Sequence, residues 1–187
     1  VRTGEDTDEL TDAVADIDPA VNPAARHGLA LALADAKARD ADWSLSARLA
    51  AEHGLAAPVD SVPVNATIGD GSPAATAREA EQAVAGGFGC VKLKLGVRDL
   101  EGDIDRLRSV RERVGDGVTL RADANGAWDR ETAARALDRL EPLDLAYVEQ
   151  PLPADDLEGT AALRGGTSAR IALDESLAAH GIDAVLD

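Results

Sequence analysis

Several residue types are scarce in this chain of 187 residues, and each shortage disfavours a class of protein. Cys90 is the single cysteine, so no internal disulfide can form and a reducing compartment is expected. The histidines, His27, His53 and His180, are scattered, which disfavours a zinc site built from histidine and cysteine. No apolar run approaches the length of a membrane span, and no signal peptide precedes the first acidic segment. The sequence therefore predicts a soluble cytoplasmic chain with no membrane partner.

Lysine is also scarce, and the chain as a whole is strongly acidic. Aspartate and glutamate number 35 against 19 lysines and arginines, which gives a formal net charge of -16. Such a surface suits a salt-rich, halophilic cytoplasm, because salt screens the repulsion between like charges. The chain lacks the basic footprint that nucleic-acid binding requires, so no nucleic-acid partner is expected. Charge alone is equally compatible with an ordinary acidic protein.

The chain changes its pattern near Pro58, which suggests two domains. The earlier part, 1–57, is predicted to be helical, with a short helix over about 7–17 and an amphipathic helical segment over about 24–50 in which a second helix begins near Ser44. After Pro58, short apolar runs alternate with helical patterns, as in parallel βα folds including barrels. Because a parallel barrel needs eight strands, either this sheet is open or the chain is a piece of something longer. The predicted strands are 62–68, 90–95, 118–122, 145–148 and 171–173, and the predicted helices are 73–85, 99–114, 130–140, 156–163 and 182–186.

Two of the few lysines stand two residues apart in the second predicted strand. Residues i and i+2 of a strand point to the same face, so the ammonium groups of Lys92 and Lys94 leave the strand side by side. Burying two such charges is costly unless anions pair with them. The structural alternative is a pair of lysines that extend to solvent at the rim of a barrel. The pair predicts acidic side chains close by.

An acidic residue follows each of the next three predicted strands. Asp123, Glu149 and Asp174 are separated by one βα unit each, so they are expected at one level on neighbouring strands, close enough to converge. Three carboxylates at one point repel each other unless a hard cation joins them, and oxygen ligands without histidine favour Mg²⁺ or Mn²⁺. For any one of them, the alternative in so acidic a chain is a helix N-cap or a solvated charge.

Four motifs carry a family resemblance. Lys-x-Lys on the second strand, Asp-Ala-Asn on the third, Glu-Gln-Pro on the fourth and Asp-Glu-Ser on the fifth are similar, in this order, to the muconate-lactonizing subgroup of the enolase superfamily. The resemblance implies an α/β fold of the (β/α)7β TIM-like barrel type, with about five of its strands in this chain. Residues 1–57 would be the helical part of an N-terminal capping domain, and residues 58–187 the first half of the barrel with the metal site.

The resemblance also implies a role for each matching position. The family holds Mg²⁺ with three strand-end carboxylates and uses a lysine as its acid/base group. The corresponding residues are Asp123, Glu149 and Asp174 as metal ligands, Lys94 as the acid/base group, Lys92 as its electrostatic neighbour, and Asn125 and Glu175 in the supporting shell.

The chemistry implied by the family fits these residue types. Removing a proton α to a carboxylate creates an enediolate, whose second negative charge a divalent cation stabilises. The base must be neutral near pH 7, and two positive neighbours, Lys92 and the metal, favour the neutral form of Lys94. The expected partner is a small carboxylate substrate, and a homo-oligomer is compatible with the sequence.

Within the subgroup, the sequence most resembles o-succinylbenzoate synthases. The Ile-Ala-Leu-Asp-Glu-Ser-Leu string and the Ala-Asn-Gly-Ala-Trp turn carry this likeness. The implied reaction is a syn dehydration in menaquinone synthesis, for which a base on one face suffices. Muconate cycloisomerase and dipeptide epimerase are the alternatives within the superfamily. Alternatives from other classes are a non-catalytic binding module and an aldolase with Lys94 as Schiff-base nucleophile.

The resemblance does not cover a whole family member. The family's lysine on the sixth strand and its N-terminal strands, which close over the substrate, have no counterpart in the sequence. We therefore expect these residues to be a portion of a chain of typical family length. By themselves they should lack turnover.

Overall fold

The computed structural model describes residues 5–18 and 21–186, and side chains from residue 9 onwards. The chain divides into two compact units, Val1–Val62 and Pro63–Asp187, which are described separately. None of the helices in the described ranges combines the length and the apolarity needed to cross a membrane.

In its described residues, the first unit contains three helices: α1 (Glu5–Ala15), α2 (Pro23–Asp40) and α3 (Leu45–Glu52). The first helix begins and ends earlier than the predicted range of about 7–17. The third begins where the sequence predicted a helix start, because the Ser44 hydroxyl caps it by accepting the backbone N–H of Ala47 at 3.1 Å.

The second helix departs from the predicted amphipathic pattern. It ends at Asp40, well short of residue 50, and Ala38 is its buried residue among those described. Leu29, which lies on the expected apolar face, is exposed, and so is Leu31. The helix therefore offers an apolar surface where the sequence predicted a covered one.

The second unit is built on a parallel sheet whose strands follow one another in chain order. The order is β1-β2-β3-β4-β5, and every pairing between neighbours is parallel. This order is that of a stretch of a βα barrel, whereas a doubly wound sheet reverses its order at a switch point. The predicted α/β class and all five predicted strands are confirmed. The strands are β1 (Ala66–Ile68), β2 (Cys90–Lys94), β3 (Thr119–Asp123), β4 (Leu145–Glu149) and β5 (Ile171–Ala172).

Helices connect the strands, and aspartate N-caps fix where several of them begin. Asp99, Asp129 and Asp156 each accept the backbone N–H of the third residue after them. The predicted bounds of α4 and α6 are confirmed, while α8 and a short 3₁₀ helix (Glu141–Leu143) were not predicted. The helices of this unit are α4 (Pro73–Ala85), α5 (Leu100–Val114), α6 (Arg130–Leu140), α7 (Leu157–Gly166), α8 (Glu175–His180) and α9 (Ile182–Leu186).

The first strand is shorter than predicted. The predicted range 62–68 contracts to Ala66–Ile68, and Val62 and Val64 are 71% and 67% exposed. Pro63 lies between them, and proline has no N–H to donate to a strand ladder. Pairing with β2 therefore begins only at Ala66.

The apolar core lies on one face of the sheet, under the helices. Val91 and Leu93 of β2 are fully buried, as are Leu120 of β3 and Leu107 of α5. Because side chains alternate along a strand, the residues between these positions point to the opposite face. That face carries the charged residues of the motifs.

Candidate active site

Lys92 and Lys94 lie on the face of the sheet that the helices do not cover. Each stands next to a fully buried apolar residue of β2, and both ammonium groups contact the same carboxylate, that of Asp123. Their side chains are exposed to different extents, 17% for Lys92 and 37% for Lys94. The prediction that the two lysines leave the strand together, towards an anion, therefore holds in the structure.

Asp123 is the anion that the two lysines share. It ends β3 at the level of Lys94, and its side chain is 1% exposed. Its Oδ2 accepts hydrogen bonds from Lys94 Nζ at 2.7 Å and Lys92 Nζ at 3.2 Å, and its Oδ1 accepts the backbone N–H of Asn125 at 3.1 Å. Burial raises the pKa of this carboxyl, but these hydrogen bonds outweigh burial and hold the pKa below its usual value. Asp123 is thus a buried carboxylate kept in its charged form.

Lys92 links the Asp123 carboxylate to the neighbouring strand, β4. Its Nζ also donates to Glu149 Oε2 at 3.0 Å, and Glu149 is the register partner of Asp123. Burial lowers the pKa of Lys92, but the hydrogen bonds and charges of Glu149 and Asp123 more than offset this and raise the pKa. Lys92 is therefore a fixed cation between two strand ends.

Asn125 and Glu175 extend the contacts of Lys94 towards β5. Lys94 Nζ donates to Asn125 Oδ1 at 2.8 Å, and Asn125 Nδ2 donates to Glu175 Oε1 at 3.0 Å. The other oxygen, Glu175 Oε2, is buried and has no hydrogen-bond partner among the residues that the structure describes. We refer to the connected set as the strand-end network; it consists of Lys92, Lys94, Asp123, Asn125, Glu149 and Glu175.

The structure corrects the prediction for Asp174. The register pairs Glu149 with Ala172, so Asp174 lies two residues beyond the level of Asp123 and Glu149. The chain leaves the strand direction after Ala172, and the exposed Asp174 side chain makes no capping bond to α8. Within the described ranges, no three carboxylate, histidine or cysteine side chains stand close enough to hold a metal. The expected level of Asp174 is therefore wrong, and its role as a metal ligand stays a prediction.

The charges at these strand ends nevertheless suit a hard cation. Three carboxylates of the strand-end network stand against its two ammonium groups, and one buried carboxylate oxygen, Glu175 Oε2, has no hydrogen-bond partner in the part of the chain that the structure describes. Asp123 and Glu149 already converge on one positive charge, the Nζ of Lys92. A set of carboxylate oxygens fits Mg²⁺ or Mn²⁺ better than a softer ion. The three carboxylates are those of Asp123, Glu149 and Glu175.

Sequence reasoning missed a buried ion pair below this site. Arg106 and Asp103 of α5 are each 1% exposed and lie 2.9 Å apart, between Arg106 Nη1 and Asp103 Oδ1. Arg106 Nη1 also donates to the backbone oxygen of Lys94 at 2.9 Å, and Asp103 Oδ2 accepts the backbone N–H of Gly96 at 2.6 Å. This Asp103–Arg106 clamp holds the end of β2 from which Lys94 projects. Its i,i+3 spacing gives no signal in the sequence, because Asp105 and Arg108 have the same spacing on the surface.

Sequence reasoning also gave no site role to Gln150. It is fully buried and follows Glu149 directly at the end of β4. Two signals were available: Gln150 is the middle residue of the Glu-Gln-Pro motif, and Gln82 is the other glutamine in the chain.

The fold and the site together define a class of protein. A parallel sheet in chain order, with a charged cluster at the carboxyl ends of its strands, is the arrangement of a βα-barrel domain with its site at the strand ends. Residues 75–181 match the family described as Enolase C-terminal domain-like, and the chain belongs to this family. The enolase-superfamily resemblance of the motifs is thereby confirmed.

The relatives catalyse different reactions. The chain is 40% identical to the o-succinylbenzoate synthase of Thermobifida fusca over 142 residues, which cover 73% of this chain and 43% of that protein. It is 32% identical to the chloromuconate cycloisomerase of Cupriavidus necator over 180 residues, 93% of this chain and 46% of that protein. A dipeptide epimerase from Cytophaga hutchinsonii, solved with Mg and the dipeptide D-Ala-L-Val, is 32% identical with a TM-score of 0.70, covering 79% of this chain and 39% of that one. The chain thus spans less than half the length of each.

Proposed function

We propose that the protein is a Mg²⁺-dependent enzyme that removes a proton α to a carboxylate, and that its reaction is the syn dehydration catalysed by o-succinylbenzoate synthase. One observation carries this proposal: Lys92 and Lys94 meet on Asp123, with Glu149 beside them, at the carboxyl ends of parallel strands. Buried charges arranged in this way are costly to maintain, which favours a functional site over a solvated surface cluster.

The two lysines are suited to different roles. Lys94 is the more exposed, so its Nζ can meet a substrate, take the α proton and return it to the departing hydroxide as water on the same face. Lys92 is held between Asp123 and Glu149 with a raised pKa, so it stays charged and supplies a fixed positive field beside the substrate carboxylate.

Three residues would hold the metal. Asp123 and Glu149 both contact Lys92 Nζ in the structure, and Asp174, two residues beyond the end of β5, would complete the set. Mg²⁺, with Mn²⁺ as the alternative, supplies positive charge against the second negative charge that forms on the substrate carboxylate. The excess of carboxylates over lysines and the magnesium in a related structure support this choice.

The choice of substrate rests on likeness to relatives. Similarity to the Thermobifida fusca synthase favours the o-succinylbenzoate synthase reaction for this protein, and with it a role in menaquinone biosynthesis in the cytoplasm. The chloromuconate cycloisomerase and the dipeptide epimerase make muconate cycloisomerisation and dipeptide epimerisation the alternatives. A small carboxylate substrate is common to all three proposals.

A direct assay of the full-length chain that contains these residues, with the cyclohexadiene carboxylate precursor, tests the reaction. Lys94→Ala should lower the rate by about 100- to 10,000-fold, the usual contribution of a general base. Lys37→Arg, in the first unit, is the matched control and should leave the rate unchanged. Activity that survives both Lys94→Ala and a chelator would overturn the proposal. Borohydride trapping of a substrate adduct on Lys94 would instead support the aldolase alternative.

A binding measurement tests the metal site separately from turnover. MgCl₂ should raise the thermal midpoint, and Asp123→Asn or Glu149→Gln should abolish this rise, because a bound ligand stabilises the folded state. Asp116→Asn changes an exposed aspartate outside the strand-end network and should retain it. If MgCl₂ does not change the thermal midpoint of the unaltered protein, the result would support the alternative that this chain is a non-catalytic binding module.

A further inference from the structure

Gln150 occupies a strained position at the junction of three strand ends. Its φ is +41°, a region that residues other than glycine seldom adopt. Its backbone N–H donates to Ala172 O of β5 at 2.9 Å, and its backbone oxygen accepts the N–H of Gly126 at 2.7 Å, just after β3. Strain of this kind persists only where the surroundings determine the conformation, which makes Gln150 a candidate for a specific role.

The side-chain amide of Gln150 is fully hydrogen-bonded, and its partners come from two segments of the chain. Oε1 accepts the backbone N–H groups of Asp174 at 3.1 Å and Ser176 at 3.0 Å. Nε2 donates to Leu152 O at 2.8 Å and to Ser176 Oγ at 2.7 Å. Backbone N–H groups can only donate and a backbone carbonyl can only accept, so these partners fix the orientation of the amide. The oxygen end holds the main chain at the start of α8, and the nitrogen end joins the loop after β4 to the side chain of Ser176.

We propose that Gln150 is a positioning residue that fixes the main chain of Asp174 beside Glu149, so that the Asp174 carboxylate can serve the proposed cation site. This inference rests on the function proposed above. The ladder ends at Ala172, so β5 no longer guides the chain at Asp174. The Asp174 side chain makes no capping bond that would hold it in place. The bond from Asp174 N–H to Gln150 Oε1 therefore ties the third carboxylate to the strand end that carries the second.

The two ends of the amide can be tested separately. Gln150→Leu removes both the acceptor for Asp174 and the donor to the loop. Ser176→Ala removes one acceptor of the Nε2 end and the Ser176 bond to Ala154 O, while the backbone bonds to Oε1 remain. Gln82→Ala changes an exposed glutamine on α4 and serves as the control.

Calorimetric titration with MgCl₂ and with MnCl₂ gives the metal affinity, and urea unfolding in EDTA gives the stability. Gln150→Leu should weaken metal binding by about 10- to 100-fold, the usual effect of losing a partner that orients a ligand. Ser176→Ala should lower stability but change the metal dissociation constant by less than about 3-fold, because Asp174 keeps its bond. Gln82→Ala should change neither quantity.

Two results would overturn the inference. One is wild-type metal affinity in Gln150→Leu, and the other is an equal loss of affinity in Ser176→Ala, which would show a general structural effect. If Gln150→Leu does not fold, Gln150→Met fills the same volume without the acceptor, and unfolding of both would assign Gln150 a purely structural role.

Asp174→Asn separates this inference from the proposed function. If Asp174→Asn weakens metal binding and Gln150→Leu does not, the metal site stands and the role of Gln150 is wrong. If the unaltered protein binds neither ion, the proposed function itself fails.

Discussion

Gly96 follows the end of the strand that carries Lys94, and its surroundings leave no room for a side chain. Its φ is +84°, and an added Cβ would collide with Ala127 Cβ and lie 3.2 Å from Ala124 O. Gly96→Ala should therefore lower the free energy of unfolding by about 2–4 kcal/mol, from backbone strain together with overpacking. Urea unfolding monitored by circular dichroism measures this change.

Gly89→Ala is the matched control at the other end of β2. No atom lies within 4 Å of its added Cβ, and its φ is not positive. Substitutions of this kind change stability by about 1 kcal/mol or less, often in the favourable direction. Equal losses in the two variants would contradict the account of Gly96.

For individual residues, the sequence predicted side-chain positions that depend on spacing along one strand. It predicted few of the positions that depend on contacts between strands. The side-by-side placement of Lys92 and Lys94 followed from an alternation of two, and the structure agrees. The prediction that Asp174 lies level with the carboxylates of the neighbouring strands was wrong. The length of β5 depends on its pairing with β4, and that pairing cannot be read from the sequence. The role of Gln150 was not predicted, because its hydrogen-bond partner Ser176 lies 26 residues away along the chain.

At the scale of the element, α5 carries two ion pairs with the same spacing and different surroundings. Asp103 and Arg106 are each 1% exposed, whereas Arg108 and Asp105 are 48% and 59% exposed. Arg106→Ala should cost about 3–5 kcal/mol of stability, because it leaves a buried carboxylate without its cation. Arg108→Ala should cost about 0.5 kcal/mol or less, since an exposed pair contributes little.

Chemical denaturation of both variants at neutral pH tests this difference. Loss of the Asp103–Arg106 clamp also frees the backbone oxygen of Lys94, so the near-ultraviolet spectrum should change together with stability. Comparable losses in Arg106→Ala and Arg108→Ala would show that burial does not set the contribution of these pairs.

The first turn of α7 provides a dependence on pH. Hydrogen bonds from Arg130 and from the backbone N–H of Gly159 hold the pKa of Asp156 below its ordinary value of 3.8. A lowered pKa stabilises the folded state above the unfolded pKa, and this contribution is lost as pH falls through the folded pKa. The stability advantage of the wild type over Asp156→Asn should therefore be full at pH 6 and shrink below about pH 4.

Urea unfolding between pH 6 and pH 2.5 measures that advantage. Asp155→Asn, at the exposed neighbouring aspartate, removes one carboxylate of this turn while the bonds of Asp156 remain, and it serves as the control. A constant difference between wild type and Asp156→Asn across this range would refute the prediction.

The boundaries of the elements were predictable where local chemistry sets them. Ser72 with Pro73 marks the start of α4 and Asp129 marks that of α6, and both helices have their predicted bounds. The strand β1 was predicted too long because the valines around Pro63 looked like a continuous strand. Helix α8 was missed because its six residues merge in the sequence with the Asp-Glu-Ser motif.

At the scale of the whole molecule, the regular alternation of strands and helices was enough to predict a parallel α/β fold. Each strand pairs with its neighbour in sequence, so local repetition and global topology agree. The metal site was less predictable, because it requires strand ends from separate βα units to meet at a common level, and one of the three does not. The domain boundary predicted after residue 57 and the roles of the site residues stay predictions.

The charge of the molecule leads to a prediction about salt. A formal net charge of -16 over 187 residues implies strong self-repulsion in the folded state. Raising NaCl from about 0.1 M to 1 M shortens the screening length from about 10 Å to about 3 Å, so the repulsion weakens. The thermal midpoint should therefore rise with NaCl, and scanning calorimetry in EDTA measures this rise.

Exposed ion pairs oppose this rise of the thermal midpoint, because salt also weakens the attraction between oppositely charged side chains. Arg139 with Glu101 and Arg113 with Glu81 are such pairs, but exposed pairs contribute little each, and the acidic residues far outnumber the basic ones. MgCl₂ at matched ionic strength should raise the midpoint further in the wild type but not in Asp123→Asn, which separates site binding from screening. A midpoint that falls with NaCl would mean that attraction between surface charges outweighs the net repulsion, and the link between the acidic composition and a salt-rich cytoplasm would be lost.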